Sequence, residues 1–243
     1  MFKRGQFKIN GLHSEEFNAF MRDRPERLTS GRVIELRERP GNDSVVVDFN
    51  YYQNVEWKID CYAKADNLDG VSHLEDRIRA WLDMYSYADF MYYFDPHYIY
   101  QAVVTSPPVF KGTRKNGNLV PFEFTVSLRP FKMSRGAMKW KTNEKTLINP
   151  ERYPSKPLIH IKGMGDISFW VNDQHFELVD VGNEILIDTN LEESYRIVDG
   201  VLEIQDHKTK FLDFPELQTG TNTFRWSGNV QEFNVQPRWW TKV

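Results

Sequence analysis

The side chains best equipped for chemistry in this chain are six histidines, one cysteine and a group of carboxylates in its last third. A bound metal would need histidines and acids at short fixed intervals, as in HExxH, so that several ligands converge on one ion. His13, His73, His97, His160, His175 and His207 are scattered, with no such pairing. A cysteine nucleophile needs an accessible thiolate beside a base. Cys61 instead lies in VEWKIDCYA, where Val55, Trp57, Ile59, Cys61 and Ala63 share one parity, so it reads as a small apolar filler of a half-buried strand. No GxSxG elbow is present, and the bare GxG of Gly163 and Gly165 reads as a tight turn before a strand rather than a phosphate cradle. Asp188, Glu192 and Glu193 could serve acid–base hydrolysis only at a defined separation, and charge runs are most simply a solvated face. The expectation is therefore no enzyme, no metal and no cofactor.

Stacking chemistry remains. FRWSGNVQEFNVQPRWW, Phe224 to Trp240, holds three tryptophans, two phenylalanines and two arginines. Exposed rings of this kind could grip a sugar, because an aromatic ring has a large apolar face. Parity points elsewhere. Phe224 and Trp226 share one face of a short strand, Ser227-Gly228-Asn229 reads as a turn, and Phe233, Val235, Pro237 and Trp239 share a face of the next strand. Those residues line a core, while Arg225, Arg238 and Trp240 fall opposite. Tyr98 and Tyr100, with Ala102 and Val104, pose the same choice between sugar platform and ordinary strand, and Phe122, Phe124, Val126 and Leu128 form another strand face.

The elements that must position these residues follow from patterning. Most of the 243 residues alternate with period two. RVIELRERPGNDSVVVDF is two strand-like runs around Pro40-Gly41-Asn42-Asp43, a hairpin with one strongly charged face. The exception is VSHLEDRIRAWLDMY, where Leu74, Ile78, Trp81, Leu82 and Tyr85 recur at helical spacing and Ser72 with Glu75 has the form of a capping box. Residues 1–134 thus read as a β-rich domain with one helix. Residues 135–152 are basic and proline-studded and read as a linker. Residues 153–243 read as an all-β sandwich of short strands, with turns at Asn172-Asp173 and Asp199-Gly200.

Charge is uneven. Basic and acidic residues number 18 and 18 over 1–134, 5 and 2 over 135–152, and 8 and 14 over 153–243. A dedicated nucleic-acid binder would carry a basic face, so that role is disfavoured, though not a pore through which DNA passes. One cysteine permits no internal disulfide, which suits a reducing compartment. No run approaches the roughly 20 apolar residues of a membrane span, and MFKRGQFKIN has no signal-peptide form. Folding in a cytoplasm, with release by a non-secretory route such as lysis, is the expectation.

Five stretches, in order, resemble the distal tail protein (Dit) family of siphophages that infect Gram-positive bacteria. FKINGLHSEEFNAFMRDRPE is similar to the family's opening F-x-x-x-G-x-x-S segment, and FEFTVSLRPFK to the strand closing its first domain. LINPERYPSKPLIHIKGMGDISFWVNDQ is similar to the entry to its second domain; FPELQTGTNTFRWSG and VQPRWW are similar to its ending. The resemblance implies a mainly β fold, with an N-terminal, tail-tube-like β-sandwich carrying one α-helix and a C-terminal galectin-like β-sandwich. In some relatives the last strand returns to the first domain, a choice that residues 236–243 leave open. It also implies a homo-hexameric ring at the virion tail tip, assembled in the host cytoplasm. Its partners would be the tail tube protein, the tail-associated lysin or tape-measure end, and receptor-binding or baseplate proteins. DNA would be present only in transit, and no membrane would be bound. No inserted carbohydrate-binding module is evident, which favours an adaptor.

Within that expectation the hairpin from Arg32 to Val47 is the candidate inter-subunit surface, through Val33, Leu36, Val45 and Val47. The rival reading is a carbohydrate-binding β-sandwich for host-surface recognition, and a third is an enzyme, such as a wall-hydrolase accessory.

Overall fold

The computed structural model of the chain describes residues 2–112 and 117–243. The chain forms two compact units. The first ends at Lys132 and takes in Lys242 and Val243; the second runs Met133–Thr241. No helix is long and apolar enough to cross a membrane among the described residues.

The first unit contains β1 (Phe7–Ile9), β2 (Leu12–His13), β3 (Ala19–Met21), β4 (Arg32–Arg39), β5 (Asn42–Tyr52), β6 (Val55–Lys64), α1 (Gly70–Leu82), β7 (Ala88–Tyr92), β8 (Tyr98–Phe110) and β9 (Leu119–Leu128). Seven of these strands form an antiparallel sheet in the order β2-β1-β7-β8-β9-β6-β3. Alternation dictates which side faces inward. Val55, Trp57, Ile59, Cys61 and Ala63 of β6 are buried, as are Phe122, Phe124, Val126 and Leu128 of β9. Tyr92 and Tyr100 are buried too and pack with Trp57 and Phe90, with ring centroids 5.4–6.1 Å apart. The Tyr100 hydroxyl donates to Asp95 Oδ2 at 2.6 Å, and Lys132 Nζ lies 2.5 Å from the same oxygen. The tyrosine-rich strand is therefore core, not a sugar platform.

The helix α1 lays Leu74, Ile78, Trp81 and Leu82 on this sheet. Trp81 stacks on Phe17 with centroids 4.3 Å apart and donates its indole N–H to Ile9 O at 3.0 Å. The start of the helix differs from expectation. It begins at Gly70, so Ser72 lies inside the first turn and caps nothing; Asn67 Oδ1 instead accepts from Gly70 N–H at 2.8 Å. The helix also stops at Leu82, leaving Tyr85 beyond it and fully exposed. A capping box does exist elsewhere. His13 and Glu16 close the short 3₁₀ turn Ser14–Phe17, with Glu15 N–H donating to His13 Nδ1 at 3.2 Å and His13 N–H to Glu16 Oε1 at 2.8 Å.

After β10 (Phe131–Ser134), the second unit holds β11 (Lys141–Thr142), β12 (Thr146–Asn149), β13 (Leu158–Val171), β14 (Gln174–Asp188), β15 (Glu193–Val198), β16 (Val201–Ile204) and β17 (Gly220–Gln236), and β18 (Trp240–Lys242) follows. The antiparallel order is β11-β17-β13-β14-β15-β16, with β12 also on β17. Residues 135–152, expected as a linker, are built into this unit. Ala137 and Leu147 enter its core, and β11 and β12 pair with β17. The expected short strands are also fused. Phe176 and Ile187 lie on one 15-residue strand, and Phe224 and Phe233 on one 17-residue strand.

The long strands bend instead of ending. Gly163 and Gly165 lie inside β13 at register shifts, not in a turn, and Ser227-Gly228-Asn229 is the matching irregular stretch of β17. At the bend the backbones nearly touch. A Cβ on Gly163 would sit 2.5 Å from Asn229 O, and one on Gly228, at φ +98°, 2.6 Å from Asp166 O. Only glycine combines that approach with that dihedral. The bend curls the sheet over its own core, so that Phe169 meets Phe233 at 5.8 Å and Trp226 stacks on Phe233 at 4.6 Å. Phe224, Phe233, Val235 and Trp239 are buried. Trp240 donates its indole N–H to Pro154 O. The tryptophan-rich ending is thus mostly sandwich interior. Asp188 is buried as well and receives both Arg238 guanidinium nitrogens, at 2.7 and 3.0 Å. The pair clamps the end of β14 to the residues that follow β17.

Candidate functional site

The hairpin β4–β5 pairs with no other strand among the described residues. Its two-residue loop is Pro40-Gly41, with Gly41 at φ +79°, the residue order that a type II turn prefers. Its base is fastened to the first unit. Gln53 N–H donates to Gly31 O at 3.0 Å, and the Ser30 hydroxyl to Gln53 O at 2.7 Å. Ser30 N–H donates to Val243 O at 3.1 Å, and Val243 N–H to Pro130 O at 2.9 Å. Arg32 reaches from β4 to Asp48 on β5, with Nε 2.6 Å from Oδ2, and to Asn50 Oδ1 at 3.1 Å. The Arg32 hydrogen bond, then the Asn50 amide, hold the Asp48 carboxyl below its ordinary range.

Beyond that latch the hairpin has little core of its own. Leu36 pairs with Val46 and Ile34 with Asp48, so Ile34, Leu36 and Val46 share one face; they are 50%, 63% and 57% exposed. Glu35 pairs with Val47 and Arg37 with Val45, which puts Val45 and Val47, both half-buried, on the other face. Val33 is half-buried on β4. The expected set therefore divides: Val45 and Val47 are brought together, and Leu36 points away from them. Ile34 and Val46 complete the exposed aliphatic face and were not singled out in the sequence. Ile34 shares strand parity with Leu36, which was a readable signal. Val46 was not readable, because a register shift between Arg37 and Arg39 decides which valine faces Leu36. Phe49 and Tyr51, farther along β5, are also exposed. An isolated two-stranded hairpin is marginal in water, and an exposed aliphatic face on one is an invitation to a partner.

The chemical candidates resolve differently. Cys61 is buried, and burial pushes its thiol well above the usual range. No group of three His, Cys, Asp or Glu side chains that could hold a metal ion occurs among the described residues.

No protein-family model and no curated protein matches the chain. Solved structures do. The chain is similar to the SPP1 Dit protein, described as a paradigm of the hub adsorption apparatus in phages infecting Gram-positive bacteria. The TM-score is 0.71 at 11% identity, over 95% of this chain and 97% of that one. It is also similar to chains of the phage p2 baseplate in its activated conformation, with calcium and with strontium. There the TM-score is 0.57 at 8% identity, over 98% of both chains. The fold, mainly β with one α-helix among the described residues, is that of a phage Dit protein.

Proposed function

We propose that this chain is a structural, non-enzymatic distal tail protein of a phage virion. Six copies form a ring that joins the tail tube to the tail tip, receives the tail-associated lysin and receptor-binding proteins, and leaves a channel for DNA. The observation that carries this reading is the fold likeness to a hub protein over nearly the full length of both chains. The unpartnered hairpin supports it. A closed ring needs head-to-tail contacts between two different patches, and β4–β5 supplies one such patch through Ile34, Leu36 and Val46. The near-neutral first unit suits a wall that DNA passes without binding.

The test is mass in solution by light scattering, with negative-stain images of the same peak, alone and with co-expressed tube protein. Particles of six times 28.8 kDa, about 173 kDa, with a central hole are expected. Monomers under both conditions would overturn the ring.

A further inference from the structure

The outward face of the second sheet carries side chains that an adaptor role does not use. His160 and Lys162 on β13 stand opposite Asn234 and Glu232 on β17, and Lys162 stands opposite Glu184 on β14. The alternate residues Ile159, Ile161, Ile185, Phe233 and Val235 all face the core, so these polar groups lie on the opposite side of the sheet, where Asn234 is itself buried. They hold one another in place. His160 Nε2 lies 2.9 Å from Glu184 Oε2, and Lys162 Nζ 2.9 Å from Glu232 Oε2. Asn234 donates to Glu232 Oε2 at 3.2 Å and accepts from the Thr142 hydroxyl at 2.6 Å. On one side Trp140, 43% exposed, sets its ring edgewise to His160 with centroids 6.0 Å apart. On the other, Lys162 and Glu184 enter the wall of a cleft of about 350 Å³, completed by Arg196, Gln231, Met164 and Val198 among others.

The chemistry of this face narrows its ligand. Lys162 and Arg196 are the cations, and Glu184, Glu232 and Glu203 the carboxylates, with Arg196 Nη2 2.6 Å from Glu203 Oε2. The carboxylates outnumber the cations, so a phosphate or sulfate would meet repulsion. Fixed donors and acceptors side by side instead suit hydroxyl groups, each of which both donates and accepts. The ring of Trp140 and the side chains of Met164 and Val198 offer apolar patches for C–H faces. The cleft volume is within the range of small-ligand sites, about 300–1,000 Å³.

We propose that this face binds a neutral oligosaccharide. One sugar sits in the cleft against Met164 and Val198, and the next lies on Trp140, with Glu184 and His160 between them. The inference goes beyond the adaptor reading, and neither depends on the other.

The experiment is saturation-transfer NMR and calorimetry on the full chain. The probes are glucose, galactose, N-acetylglucosamine and their β-linked disaccharides, with inorganic phosphate as the anionic control. At least one disaccharide should bind with Kd near about 1 mM or tighter. Trp140→Ala and Glu184→Gln, each melting as the unmodified chain does, should weaken it by about tenfold or more. Silence across the panel, binding unchanged in both variants, or phosphate binding in preference to sugar would overturn the proposal.

Discussion

The hairpin β4–β5 turns at Pro40-Gly41 and the hairpin β13–β14 at Asn172-Asp173, each through a two-residue loop. Both are long, antiparallel and interrupted by register shifts. In β13–β14 the inward positions are Ile159, Ile161, Phe169, Phe176, Ile185 and Ile187, and the outward ones are largely polar, so one face commits to a core. In β4–β5 the faces are mixed, with Val45 and Val47 set across from Arg37 and Glu35, and Ile34, Leu36 and Val46 opposite them. Neither face is apolar enough to build a core inside the chain. The difference separates a strand pair stabilised from within its own unit from one that, in the proposed ring, would be stabilised by a neighbour. Burying what remains exposed of each aliphatic is worth on the order of 1 kcal/mol, which the proposed ring would repeat at every contact.

This contrast can be broken from both sides. Removing the Asp188–Arg238 clamp by Asp188→Ala leaves Arg238, itself mostly buried, without its carboxylate. We expect a stability loss of about 3–5 kcal/mol in chemical denaturation. Gly228→Val sets a branched side chain at φ +98° against the Asp166 backbone and should lower stability by about 2–4 kcal/mol in the same measurement. Unchanged unfolding in either variant would mean that the second unit is not held at its bend and its end.

The hairpin should answer in the opposite way. Ile34→Lys with Leu36→Lys and Val46→Lys should shift unfolding of the isolated chain by no more than about 0.5 kcal/mol per site, while the light-scattering peak of the proposed ring should be lost. Charging Val33, Val45 and Val47 instead tests the other face. If that set alone abolishes the ring, the docking face is the half-buried one.

The smallest effect concerns the latch at the hairpin base. Asp48 has a lowered pKa, so its contribution is present above the unfolded value of about 3.9 and is lost as pH falls through the lower folded value. Exchange of the Asn50 and Gln53 amides should therefore quicken only below the ordinary carboxylate range. An NMR titration of Asp48 at or above about 3.9 would show the latch to be open.

Much of this could be read along the chain. Burial of Cys61 with Trp57 and Ile59, the helical face of Leu74, Ile78 and Trp81, and the Asp199-Gly200 turn all follow from a short repeat in which each residue answers to its near neighbours. The capping pair was less legible, because Ser72 and Glu75 satisfy the pattern while Asn67 satisfies the geometry. Residues 135–152 looked structureless because β11 and β12 are too short to show a period, and their pairing with β17 is distant in sequence.

Local sequence thus determined the strand class, the single helix, most inward faces and the inertness of the lone thiol, since periodicity is a property of neighbours. Tertiary structure alone decided the rest. It fused short strands into bent long ones where Gly163 and Gly228 let backbones meet, and it turned Asp188 and Arg238 into a clamp across 50 residues. Through one register shift it chose Val46 over its neighbours to face outward with Leu36. Pairing register depends on which distant strand arrives opposite, and a shift of one residue reverses every side chain.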